Sequence, residues 1–391
     1  MIIYKPTTQN SLTEFVDSLA EDEQDICSHF LSKLYVRQKS DKDGTKNEFG
    51  FVYLKMEYIQ NLHGQSFIDC ILPRLMEEQL ILRDPNFVAS DYSTHKKSHS
   101  MSYKIAPHLL GDKWTLSEAT PQIKRRASRK VADLTTRELR TYKREEKKIQ
   151  KIRHHIIKNL SLDDDYNDSP HAQNPRECMF AAKVGAGEIR VSISEVTGRL
   201  YTPITTLLGD LREHILLAGE KTCILDIKSS QPFLLYAHIT DCEEQTKYQI
   251  WLDNDFYATL EHNGARPTSK DRVKDLFCYW LGGCSDANSG GINDVMKKHF
   301  PVFYKQHMKK RRANYKYLSL ELSNLEAKIM IDTVLLGNMN LPLLTIHDAC
   351  ICRESDKMEV FQLIRDAFFK HVGRIPRICE ETADSKVELV A

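Results

Sequence analysis

The sequence predicts an α+β fold, and three observations carry that prediction. Glycine and proline are modest in number, 16 and 13 among 391 residues, which favours a helix-rich chain over an all-β one. The stretch Leu134 to Leu160 contains neither residue and keeps a narrow apolar stripe, the pattern of a long helix. Short alternating apolar runs surround Asp226 and the pair His347-Asp348, the pattern of strands.

Composition narrows the class further. With 41% hydrophobic and 28% charged residues, the chain is expected to bury a core, and its length allows two or three packed units. No uninterrupted apolar run approaches the roughly 18 residues of a membrane helix, and Met1 to Glu14 lacks the form of a signal peptide. The ten cysteines form no CxxC pair, and several, such as Cys223 and Cys350, sit in apolar runs. A reduced, cytoplasmic protein with no membrane partner is the expectation.

The first 118 residues read as one α+β unit. Ser66 is placed as the cap of a helix with Phe67, Cys70, Ile71 and Leu75 on one face, interrupted at Pro73. An apolar run at 80–82, a polar stretch holding His95-Lys96-Lys97 and a second run at 103–105 follow. Helix, strand, loop and strand outline a winged helix, whose wing and helix can touch DNA. An ordinary α+β domain with a long hairpin fits equally well.

Residues 119–176 hold the charge that averaging conceals. The net charge is +1, yet Pro121 to Leu160 carries 14 Lys/Arg against 4 Asp/Glu, a local +10 that leaves −9 for the remainder. A solvated helix face is the ordinary explanation of such a run. Asymmetry this large points instead to a phosphate-facing arm, with Lys143, Lys147 and Lys151 as nucleic-acid contacts. The acidic, turn-rich segment 161–175 reads as a linker or exposed loop.

The third region, 177–391, carries the chemistry. Glu188 to Tyr201 is β-rich, and Leu211-Arg212 falls in a helical stretch. An apolar strand then ends at Asp226 and leads into a helix start, which suits a metal-holding carboxylate. His347-Asp348 lies at the tight turn of a hairpin. Each acid alone reads as a cap or turn residue; together, two strand-borne aspartates can hold two Mg²⁺ ions for in-line attack at phosphorus. Between them, Lys270 and Lys274 are one helical turn apart, and Phe277, Tyr279 and Trp280 follow. Cations beside aromatics suit a nucleoside triphosphate, although in isolation the segment reads as an amphipathic surface helix.

These motifs, in this order, resemble the palm and fingers of family A DNA polymerases and their single-subunit RNA polymerase relatives. TGRL at 197–200 with Arg212, LDIKSSQP around Asp226, KDRVKDLFCYWLGG at 270–283, FPVFY at 300–304, LSNLEAKIM near Glu326 and TIHDACICRE around Asp348 carry the likeness over some 190 residues. The resemblance implies a palm over 177–391 with a fingers insertion at about 251–312, and a thumb-like role for the basic helix. It implies that Asp226, Asp348 and the Ile227 carbonyl hold two Mg²⁺ ions, with Mn²⁺ as a substitute. Lys274 would bind the phosphates and protonate pyrophosphate, with Lys270 assisting. Arg199 and Arg212 would touch primer or nucleotide, and His347 would position the primer end. Departures accompany the likeness: Ala349 follows the HD pair where Glu is usual, Gln231 replaces a sugar-gating Glu, and Gly282 stands where a Tyr is expected.

The expected function is template-directed nucleotidyl transfer by a DNA polymerase without proofreading, since the first 176 residues offer no strand-borne carboxylate cluster. Its partners would be a DNA primer–template or single-stranded template and nucleoside triphosphates. Departures at both sugar-gating positions leave dNTP and NTP open. The alternatives are an RNA polymerase or primase-like enzyme, and a non-catalytic nucleic-acid-binding replication initiator of a mobile element.

Overall fold

The computed structural model describes all residues except 1, 8–9, 40–50, 56–58, 61–62, 85–99, 112, 119–135, 267–271, 284–290, 382–385 and 390–391. The chain forms two compact units, one of residues 1–147 and 162–189, the other of 148–161 and 190–391. Both are mixed helix and antiparallel strand, so the α+β expectation holds.

The first unit begins with β1 (Ile2–Pro6), α1 (Ser11–Asp17) and α2 (Glu21–Lys39). Asn10 caps α1, accepting from the Leu12 and Thr13 amides at 2.9 and 3.0 Å while the Thr13 hydroxyl accepts from Asn10 N–H. Acids in the first turn of α2 and Arg37 and Lys39 in its last complement the helix dipole. Next come β2 (Val52–Lys55), a π-helical turn at Phe67–Ile71, α3 (Leu72–Glu77), β3 (Ile81–Arg83), β4 (Ser100–Ile105) and β5 (Trp114–Glu118).

Ser66 is not the expected cap. It is already helical and makes no capping bond, and the π-turn lets the chain restart so that Pro73 falls in the first turn of α3. There its missing N–H has no helical partner to lose. Strands β2, β4 and β3 form one sheet in that order, and β1 pairs with β5. Phe30, Leu34, Phe67, Leu75, Ile81 and Tyr103 fill the core. The His95-Lys96-Lys97 loop lies outside the described residues.

The basic segment forms α4 (Thr136–Asn159), as its unbroken stripe predicts. Its last turns belong to the second unit, where Ile152 and Ile156 are buried, the His155 ring bonds the Leu343 carbonyl at 3.0 Å and Lys148 pairs with Asp332 at 2.5 Å. Strand β6 (Leu160–Leu162) follows. The segment 161–175 keeps much of its surface exposed, as the loop reading expects. It winds into 3₁₀ turns that bury Tyr166 and Ala172, because Tyr166 donates to the Glu177 carbonyl at 3.2 Å in the next helix, α5 (Pro175–Gly185). Buried apolar residues inside an acidic stretch outweigh its polar composition.

The second unit is built on a seven-stranded antiparallel sheet. A short hairpin, β7 (Ser192–Ile193) and β8 (Leu200–Tyr201), precedes it. Strands β9 (Ile215–Leu217) and β10 (Glu220–Ile227) then lead to α6 (Ser230–Leu235), α7 (Cys242–Asp253), α8 (Phe256–His262) and α9 (Val273–Gly282). Helices α10 (Ile292–His299), α11 (Pro301–Arg311) and α12 (Tyr317–Ala327) follow, the last running into a π-helical stretch at Lys328–Leu335. The chain returns through β11 (Leu343–Ile346), β12 (Ala349–Arg353), α13 (Lys357–Val372), β13 (Ile378–Glu381) and β14 (Lys386–Leu389).

Sheet order is β11-β12-β10-β13-β14, with β9 joining β10 to β6. β10 is therefore flanked on both sides, and its residues alternate: Cys223, Leu225 and Ile227 are buried while Ile224 and Asp226 are half-buried. Helices α7 to α11 gather an aromatic core of Tyr248, Trp251, Phe256, Phe277, Trp280 and Phe300. Glu244 holds the start of α11, accepting from the Val302 and Phe303 amides at 2.6 and 2.9 Å. Among the described residues, no helix is long and apolar enough to cross a membrane.

Candidate active site

Asp226 and Asp348 are brought together by the register of two neighbouring strands. Asp226 lies directly opposite Ala349, so Asp348 is one residue from that pair, and the Ile227 amide donates to the Asp348 carbonyl at 3.4 Å. His347 and Asp348 form the two-residue turn between β11 and β12, with Ile346 paired to Ala349 and His347 in the left-handed region at φ 56°. Both aspartates are half-buried.

A second group closes around Asp348. The turn before β8 needs Gly198: its φ is +68°, and a Cβ there would meet Ala327 Cβ and Asn324 Oδ1 at 3.1 Å. This seats Arg199 against α12. Its Nε and Nη2 donate to Glu326 Oε1 and Oε2 at 2.8 and 2.9 Å, and Gln231 Nε2 donates to Oε2 at 2.9 Å. Glu326 is 1% exposed. Burial raises its carboxyl to about 7, against the pull of Arg199, and the Asp348 charge adds to the rise. Burial pulls Arg199 down, but Glu326 and then Asp348 more than reverse it.

On the other side of Asp348, burial lowers His347, and the charges of Arg199 and Arg212 lower it further. The imidazole is therefore neutral at pH 7. Among the described residues its Nδ1 is buried without a partner, and its ring meets the exposed Tyr201 edge-on, with centroids 5.5 Å apart. Burial also lowers Arg212, opposed by Glu381.

The expected triphosphate helix is α9. Lys274 is exposed on it, and one turn later the Cys278 thiol, raised by burial, feels both Lys274 and Arg199. Tyr257 of α8 is raised by burial and by the charges of Cys278 and Asp348. The charges of Lys274 and Arg199 thus reach Cys278, and that of Asp348 reaches Tyr257. Lys270 lies outside the described residues.

Phe277 does not form the expected aromatic shelf. It is 0% exposed, packed between Phe256 and Trp280 with centroid distances of 5.1 and 5.8 Å, because its helix position faces the aromatic core. Tyr279 is half-buried, with its ring against Gly283. Gly282 also has a physical reason: a Cβ would meet Ser319 Oγ of α12 at 3.0 Å.

On α4, Arg144, Lys147, Lys151 and Lys158 are exposed at steps of three, four and seven residues, which puts them on one face. Nothing is described of the Lys143 side chain. In the first unit, the exposed residues of 65–78 include Asp69, Glu77 and Glu78 against Arg74 alone, so that segment presents no basic face.

Sequence reasoning did not single out Glu326, Tyr257 or Tyr201 as site residues. For Glu326 a signal existed: an acid four residues after Leu322 on an otherwise apolar helix face. No protein-family model matches the chain, and no curated protein matches it.

Among the described residues no group of three or more His, Cys, Asp or Glu gathers that could hold a metal ion, and Asp226 and Asp348 are two carboxylates on adjoining strands. That fits Mg²⁺, which is commonly held by one or two carboxylates while water and substrate phosphates complete the shell.

Proposed function

We propose that the second unit belongs to the class of metal-dependent nucleotidyltransferases with a polymerase-like palm. Within that class, the reading is a template-directed DNA polymerase without proofreading. The observation that carries it is the adjacency of Asp226 and Asp348, 122 residues apart in sequence, beside Arg199, His347 and the Lys274 helix.

Asp226 and Asp348, with the Ile227 carbonyl, would hold two Mg²⁺ ions. When bound, these supply charge neutralisation at the transferring phosphoryl group and a more acidic attacking hydroxyl. The chain's own groups do the rest. Lys274 offers an ammonium to the triphosphate and a proton to departing pyrophosphate. Neutral His347 and the face of Tyr201 orient the end of the growing strand, and Arg212 adds charge there. The cationic face of α4 follows a phosphate backbone. The sheet order β2-β4-β3 and the helix before β3 support a winged-helix-like first unit, and its acidic exposed segment argues against major-groove contact through that helix.

The test is extension of a labelled primer on a template, and of template alone, with dNTPs or NTPs in Mg²⁺. Extension by templated nucleotides is expected with dNTPs. Extension with NTPs alone moves the assignment to an RNA polymerase or primase-like enzyme, and absence of any incorporation overturns catalysis.

A further inference from the structure

Glu326 is the most deeply buried charged group beside Asp348, and it accepts three hydrogen bonds from two other elements. When ionised its carboxylate has only acceptors, so the Gln231 amide turns its Nε2 toward Oε2, and the Gln231 carbonyl is left on the other branch. The same carboxylate grips Arg199 bidentately, which fixes the plane of the guanidinium. The support is rigid. Asn324, on the same helix, donates to the Val196 carbonyl at 3.2 Å, and a Cβ on Gly198 would press on Ala327 Cβ at 3.1 Å.

We propose that Glu326 is the positioning residue of the nucleotide site: it fixes Arg199 and obliges residue 231 to be an amide whose carbonyl faces the incoming nucleotide. This rests on the polymerase reading above. It also accounts for glutamine at 231. A glutamate there would put a second carboxylate 2.9 Å from Oε2, where two charges cannot both persist in a buried site. The two positions form an exchangeable pair, one acid and one amide.

The experiment is a cycle of four full-length proteins: wild type, Gln231→Glu, Glu326→Gln and the exchange Gln231→Glu/Glu326→Gln. Nucleotide kcat/KM for primer extension, primer–template Kd and melting temperature are measured on each. Each single variant is expected to lose about 30-fold or more in kcat/KM, with Kd within about twofold of wild type. The exchange is expected to recover at least about tenfold over Gln231→Glu. Losses that simply multiply in the exchange, or a fully active Gln231→Glu, overturn the proposal. A loss of kcat/KM matched by an equal loss of Kd also overturns it, since that is general disruption and not positioning. Should the wild type incorporate nothing, the polymerase reading fails separately. The acid–amide pairing is then judged on melting temperature, where recovery in the exchange supports it and additivity refutes it.

Discussion

Arg199 and Glu326, 127 residues apart in sequence, meet through two parallel hydrogen bonds, Nε to Oε1 at 2.8 Å and Nη2 to Oε2 at 2.9 Å. The pair ties the turn before β8 to α12, and Gln231 after β10 joins it. Three segments remote in sequence thus share one buried carboxylate beside Asp348.

That carboxylate gives the site a pH signature. Burial raises Glu326 from 4.5 to about 7, so the folded chain holds this proton more tightly than the unfolded chain. The stabilising contribution is therefore complete below about pH 4.5 and lost as pH rises through about 7. Between pH 5 and pH 8 the stability of wild type should fall relative to Glu326→Gln by about 2 to 3 kcal/mol, at 1.36 kcal/mol per unit. Chemical denaturation at a series of pH values checks this, and a constant difference contradicts it.

Activity should move the opposite way. Ionised Glu326 grips Arg199 fully only above about pH 7, so extension by the wild type is expected to decline as pH falls below that value. Glu326→Gln should be slower throughout and lack that limb. A limb of equal position in the variant assigns it to another group.

The basic face of α4 predicts a salt signature. Charge reversal at Lys143, Lys147 and Lys151 should weaken primer–template binding and flatten the dependence of log K on log salt by about 2 to 3, at roughly 0.9 per phosphate contact. Fluorescence anisotropy across a salt titration measures it. Unchanged affinity returns α4 to a solvated helix.

Arg311 predicts a stability effect. It is buried and donates to the Trp280 and Gly283 carbonyls at 2.6 and 2.7 Å, closing the C-terminal end of α9. Arg311→Ala orphans both carbonyls and should cost about 3 kcal/mol. It should also raise the nucleotide KM, because Lys274 rides on the same helix. A loss under about 0.5 kcal/mol in urea denaturation contradicts this cap.

Much of this architecture was legible where local pattern and tertiary demand agree. The alternation around Asp226 defines β10, which buries one face, and the acid-bearing turn at His347-Asp348 marks the hairpin of β11 and β12, which are buried almost throughout. The stripe of α4 was equally plain, although its last turns serve the second unit. Phe277 was misread because an aromatic one turn from a lysine looks the same in sequence whether it lines a cleft or fills a core. In segment 161–175 the exposed acidic surface was legible, but its 3₁₀ turns were not, because two buried side chains, Tyr166 and Ala172, decide them. Glu326 escaped notice because its hydrogen-bond partners lie more than 90 residues away, and Tyr257 because the charges that reach it come from another helix and from the Asp348 turn.

The central claim is that Asp226 and Asp348 act as one metal-holding pair, and one measurement tests it most directly. Mg²⁺-dependent incorporation on a primed template is compared for wild type, Asp226→Asn and Asp348→Asn, with primer–template Kd measured alongside. The account predicts a loss of more than about 100-fold in each variant with duplex binding retained. Incorporation by both variants at the wild-type rate would contradict it.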